Sequence, residues 1–76
     1  MQRQVSPYKM IDRLKQHALG NIALHQTNIE VYLQNPAGIG EHSDIMEAVQ
    51  AELDKMAVHI DRHHALEQIE GELDEG

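Results

Sequence analysis

The sequence has no cysteine, no tryptophan and no phenylalanine, and its only aromatic rings of the Phe, Trp and Tyr class are those of two tyrosines. Without cysteine, disulfide bonds, thiolate zinc sites and thiol catalysis are excluded. Positive charge is also scarce, because six Lys and Arg stand against 13 Asp and Glu, giving a net charge of −7 with His neutral. An acidic chain with few rings is repelled by phosphate and offers bases few stacking platforms, so we expect no nucleic-acid partner.

Long apolar runs are missing as well. No stretch approaches the roughly 18 apolar residues of a membrane-spanning helix, and the N-terminus lacks the apolar core of a signal peptide. We therefore expect a soluble, intracellular protein without a membrane partner. A content of 41% apolar and 25% charged residues is typical of a folded chain, and 76 residues allow one small domain.

Helix-breaking residues are few, and their positions predict two long helices. Ser6 is a good N-cap and Pro7 fits the first helical position, because its missing N–H is unpaired there anyway. Pro36 disfavours a helical conformation at the residue before it. The fold class predicted is all-α, an antiparallel αα-hairpin. Its parts are a helix over 7–34, a loop over 35–42, a helix over 43–70 and a frayed tail over 71–76.

Each predicted helix carries a stripe of apolar or compatible residues at steps of three and four. The stripe on the first helix consists of Ile11, Leu14, Ala18, Ile22, His25, Ile29 and Tyr32. The stripe on the second consists of Met46, Val49, Leu53, Met56, Ile60 and His63. We expect these stripes to face each other. An antiparallel arrangement also brings the net charge of +3 in residues 1–19 beside the net charge of −5 in residues 67–76.

Two helices alone bury little apolar surface, and chains below about 80 residues usually need help to stay folded. Further apolar residues lie off the predicted stripes: Leu19, Leu24, Val31, Leu33, Ile45 and Val58. Residues 16–40 carry one formal charge, Glu30, which fits either a lightly charged exposed helix or a contact surface. We predict a homo-oligomer, in the simplest case two hairpins forming a four-helix bundle. The candidate interface residues are Leu24, Val31, Tyr32, Leu33 and Ile45.

Six histidines are the one feature with the potential for chemistry. His59 and His63 share a helix face at i, i+4, and an antiparallel pairing places His17 across from them, so these three are the candidate ligands for Zn²⁺ or another divalent ion. Against a metal site, the Glu-x-x-His and His-Glu-x-x-His patterns are missing. We therefore expect polar residues that fix helix register, with no cofactor and no catalytic residue. Loosening of an assembly when these histidines become protonated is a further alternative.

The segment 32–45 contains the run Asn35-Pro36-Ala37-Gly38-Ile39-Gly40-Glu41-His42. Over about residues 20–58 the chain resembles a family of small helical proteins encoded by tailed bacteriophages. The resemblance implies a viral origin and a location in the host cytoplasm or the virion. It carries over no catalytic or binding residue.

These observations lead to one expected function and two alternatives. We expect a non-enzymatic interaction or structural protein, a helical hairpin that self-associates or docks on a larger phage assembly. The first alternative is a regulator of early infection that binds a host protein. The second is a metal-binding helical bundle that uses the three candidate histidines.

Overall fold

The computed structural model of the protein describes residues 6–34 and 42–75 and consists of two helices, α1 over Pro7–Gln34 and α2 over His42–Glu75. The first turn of α1 closes when the backbone N–H of Met10 donates to the carbonyl of Ser6 over 3.1 Å, as the Ser-Pro start predicts. The two helices pack against each other along their length. The predicted all-α antiparallel hairpin is confirmed, and no strand occurs within the described ranges.

The bounds of α1 agree with the prediction, whereas those of α2 do not. The helix begins at His42, one residue early, and continues through Gly71 to Glu75 instead of ending at residue 70. A helical glycine costs about 1 kcal/mol relative to alanine, but the last turns of α2 have partners on α1. The ammonium of Lys15 lies 3.3 Å from Glu70, and Tyr8 lies close enough to Asp74 for that carboxylate to raise the pKa of the tyrosine. Of the predicted loop, residues 35–41 lie outside the described residues.

We call the residues through which the two helices face each other the seam. On α1 the prediction of the seam is nearly correct. Ile11 and Ala18 are buried, and the half-buried residues include Ile22, His25, Ile29 and Tyr32. Leu14 is the exception, because it turns to one side of the hairpin and stays exposed.

On α2 the predicted seam is wrong for half of its members. Val49, Met56 and His63 do face α1, but Met46, Leu53 and Ile60 are exposed on the outside of the hairpin. The residues that face α1 recur at alternating steps of four and three: Ile45, Val49, Glu52, Met56, His59, His63, Leu66 and Glu70. Ile45, expected to be an interface residue for another chain, is therefore buried inside the hairpin. Two heptad stripes run side by side on α2. The more polar stripe is the one that packs against α1, because its side chains find partners there.

The hairpin is a slender body with extents of 55 × 28 × 15 Å. Its radius of gyration is 17.4 Å, whereas a compact domain of this length has a radius of about 11 Å. Among the described residues the buried apolar side chains are those of Ile11, Ala18 and Ile45. Neither helix is long and apolar enough to cross a membrane.

Candidate interaction surfaces and a buried histidine cluster

The seam contains a hydrogen-bonded pair of titratable groups. Nδ1 of His25 lies 2.5 Å from Oε2 of Glu52, and Glu52 is only 8% exposed. The hydrogen bond from His25 holds the pKa of Glu52 below its usual value, against the opposite effect of its burial, and a further hydrogen bond from Asn28 acts in the same direction. A buried carboxylate is costly unless hydrogen bonds satisfy it, so this pair fixes the register of α2 on α1.

His59 extends the cluster on the same side of the seam. Its ring stacks on that of His25, with centroids 5.9 Å apart and planes 16° from parallel. Its Nδ1 is buried without a hydrogen-bond partner among the described residues. Desolvation lowers the pKa of His59, and the nearby Arg62, His25 and His17 lower it further. The neutral form of this ring is therefore favoured in the folded hairpin.

The three candidate metal ligands do not form a ligand set. His17 and His59 line the same groove, but Nδ1 of His63 lies 3.4 Å from Glu67 on its own helix. No group of three or more His, Cys, Asp or Glu is placed to hold a metal ion anywhere in residues 6–34 or 42–75. The hypothesis that His17, His59 and His63 converge is corrected accordingly.

One side of the hairpin carries a groove of about 450 Å³. Its lining is Leu14, His17, Ala18, His59, Arg62, Ala65, Leu66 and Ile69. The groove lies toward the end of the hairpin that is remote from the loop, where α1 begins and α2 ends. Its walls are mostly apolar, with the charge of Arg62 at its margin.

The opposite side of the hairpin carries what we call the apolar face. Residues of α1 and α2 that point away from the groove at heptad spacing form it: Leu19, Gln26, Leu33, Met46, Leu53 and Ile60. All six are exposed, and Met46 is the most open at 65%. Because exposed apolar patches are a feature of interaction sites, we take this face as a candidate interaction surface.

The predicted interface residues fall in three different places. Leu33 belongs to the apolar face, whereas Leu24 and Val31 are exposed on the groove side of α1. Tyr32 is half-buried in the seam and Ile45 is buried there. The prediction missed Met46, Leu53 and Ile60, because their heptad spacing assigned them to the seam. The signal that identifies them is the presence of a second stripe on α2 with the same spacing.

The geometry defines a two-helix hairpin with a polar cluster inside and an unpartnered apolar face outside. No protein-family model, curated protein or solved structure matches the chain. The functional argument therefore depends on the surfaces and charges of the hairpin itself.

Proposed function

We propose that the protein is a non-enzymatic interaction protein whose helical hairpin folds fully only when its apolar face is covered, in the first place by a second copy of the chain. The observation that supports this is that polar and titratable groups share the seam while large apolar side chains lie outside it. Glu52, His25 and His59 occupy the seam, while Met46, Leu53 and Ile60 are exposed. Because apolar burial is the main favourable term in folding, this arrangement leaves a lone hairpin short of stabilisation.

The accessible surface supports the same proposal. The chain exposes 6031 Å², whereas a compact monomer of 8.6 kDa exposes about 4,700 Å². The excess of about 1,300 Å² is larger than the roughly 800 Å² that one partner contributes to a standard protein interface. Covering one side of the hairpin by another helical layer brings the exposed surface into the ordinary range.

The biological setting of the proposal comes from the phage-like run in residues 35–42. The resemblance supports a setting in an infected bacterium, where the hairpin acts as part of a phage assembly or as an accessory protein. A regulator that binds a host protein is the alternative, and it uses the same exposed apolar side chains. Self-association is preferred because the hairpin needs a partner in order to fold, and its own second copy is always present.

The proposal is tested by light scattering and thermal unfolding of the purified chain without a tag. We expect a mass of at least twice 8.6 kDa and a melting temperature that rises over a concentration range of about 100-fold, since association stabilises only the folded state. A folded monomer with a melting temperature independent of concentration contradicts self-association. Capture of a single host protein by that monomer favours the regulator instead.

A further inference from the structure

The apolar face has a pattern that restricts what can cover it. Its residues lie seven positions apart on each helix, so neighbouring residues on a helix are about 10.5 Å apart along the axis. In the register in which His25 pairs with Glu52, each face residue of α1 lies level with a face residue of α2, to within about one helical turn. Each such pair forms a row. The rows are Leu19 with Ile60, Gln26 with Leu53, and Leu33 with Met46.

The three rows are nearly symmetric about the middle one. An isologous contact requires that a surface be complementary to itself after a two-fold rotation. If the axis passes through the middle row, perpendicular to the helices, the row of Leu19 and Ile60 meets the partner's row of Leu33 and Met46. Large apolar side chains then meet large apolar side chains at both ends. Gln26 meets its own copy, and a primary amide both donates and accepts hydrogen bonds.

The charges around the apolar face agree with this arrangement. Between Gln16 and Leu33 the only formal charge on α1 is Glu30, which lies at the edge of the face. On α2 the face residues are apolar, and the exposed acidic residues that follow them in sequence, Glu47, Asp54 and Asp61, border the face on its outer side. Asp12 and Glu67 lie one heptad beyond the outer row, past the end of the partner's rows. The groove side differs, because Lys55 and Arg62 of α2 lie on it.

We infer that the apolar face is the docking site for a second copy of this chain, in an antiparallel two-fold dimer whose axis passes near Gln26 and Leu53. The inference rests on the proposed self-association and adds the face, the orientation and the centre. It leaves the groove open. The resulting arrangement is a four-helix bundle in which α1 packs on α1 and α2 on α2.

The first experiment compares Leu53→Asp with Val58→Asp by light scattering and sedimentation. The two residues are equally exposed, at 44% and 47%, and lie on the same helix, but only Leu53 is on the apolar face. A charge at the centre of a contact, present twice in a symmetric dimer, is expected to weaken dimerisation by at least about 30-fold. Val58→Asp is expected to leave it within about threefold, as for an exposed site away from the contact.

The outcomes separate the inference from the proposed function. Loss of the dimer in Val58→Asp but not in Leu53→Asp places the contact on the groove side, which overturns the inference and leaves self-association standing. A wild-type chain that stays monomeric overturns both. Unfolding of Leu53→Asp is the expected result if folding requires the dimer, and circular dichroism at high concentration then shows recovery of helix.

A second experiment tests orientation without a charged substitution. The chain has no cysteine, so single cysteine variants have no background of native disulfides. Leu53→Cys is expected to form a disulfide-linked dimer under mild oxidation, because a two-fold axis brings residue 53 next to its own copy within the about 7 Å between Cα atoms that a disulfide spans. Met46→Cys and Ile60→Cys are expected to cross-link when mixed, but not when oxidised separately. Cross-linking of Met46→Cys with itself and of Ile60→Cys with itself means that α2 lies beside a parallel copy of α2, and contradicts the inference.

Discussion

The seam and the apolar face run side by side along α2, one residue apart, and differ in what they carry. The seam includes Glu52, His59, His63 and Glu70 among its eight positions, whereas the apolar face shows Met46, Leu53 and Ile60. Four of the eight seam positions on α2 are therefore polar or charged, while large apolar side chains are left open to solvent on the apolar face. A helix of a self-sufficient domain places its apolar stripe toward its own core, so the comparison supports the proposal that a second copy of the chain completes the core.

The polar groups of the seam select one pairing of the two helices. A pair of purely apolar helices can slide or rotate at little cost, whereas the pairing of His25 with Glu52 works in one register only. The apolar face then supplies stabilisation without having to set the register within the hairpin. In this division of roles, changes in the seam affect the fold of each copy, and changes on the apolar face affect association.

The largest effect expected from a single seam residue comes from Ala18→Leu. Ala18 is the most buried residue, at 3% exposed, and a leucine there forces the helices apart at a cost of about 1–3 kcal/mol in the free energy of unfolding. Chemical denaturation at a fixed protein concentration measures this change. Ala51→Leu is the matched control, because Ala51 is exposed on α2 and its change is expected to stay within about 0.5 kcal/mol. Equal effects from the two variants contradict the view that the helices touch most closely at Ala18.

The next prediction tests whether the pair in the seam provides register or stability. Replacing either His25 or Glu52 by leucine leaves the other group buried without its partner, so each single variant is expected to melt several degrees lower. Replacing both with leucine is expected to restore the melting temperature to at least that of the wild type, since a buried pair of hydrogen-bonded polar groups is often no better than apolar packing. The coupling between the two substitutions, measured as a double-mutant cycle, is the quantity of interest. Additive losses show that the two groups act independently.

Particular residues show how much of this arrangement can be predicted from the sequence. Ser6, Pro7 and Pro36 determine the bounds of α1 by local chemistry, and the seam of α1 has a single dominant stripe, so both were predicted well. On α2 the stripes of Leu53 and Glu52 have the same spacing, and hydropathy favours the wrong one.

The stripe of α2 that faces α1 depends on pairings across the hairpin, such as Glu52 with His25, and periodicity within one helix contains no information on them. The same holds for the end of α2. Gly71 is a weak helix former, and only the contacts of Lys15 with Glu70 and of Tyr8 with Asp74 across the hairpin explain why the helix continues.

A smaller effect is expected from the protonation of the cluster. The pKa of His59 is below its ordinary value of 6.5 in the folded chain, so the unfolded chain binds this proton first and stability falls as the pH drops from above 6.5 toward the folded pKa. The lowered pKa of Glu52 acts with the same sign, but only from its ordinary value of 4.5 downward. His59→Leu is therefore expected to show a smaller fall in melting temperature between about pH 7.5 and 5.5 than the wild type does.

The control for the pH experiment is His64→Gln, at an exposed position on α2 outside the cluster. It is expected to keep the wild-type pH profile in that window. The charged or titratable groups that bear on His59 are Arg62, His25 and His17, and all three are kept in both variants. An unchanged slope in His59→Leu shows that the seam tolerates a charge at this position.

The smallest effect is expected at the end of the hairpin remote from the loop, where an ion pair accompanies the apolar contacts between the two helices. The ion pair between Lys15 and Glu70 spans 3.3 Å and is partly exposed, so Lys15→Ala is expected to cost less than about 1 kcal/mol. Lys9→Ala, at an exposed position one and a half turns earlier, is the control. The difference between the two variants should shrink at 1 M salt, where the screening length is about 3 Å. If Lys15→Ala lowers the free energy of unfolding more than Ala18→Leu does, charge rather than helix contact dominates the seam. The contrast between a register-setting seam and a stabilising outer face then fails.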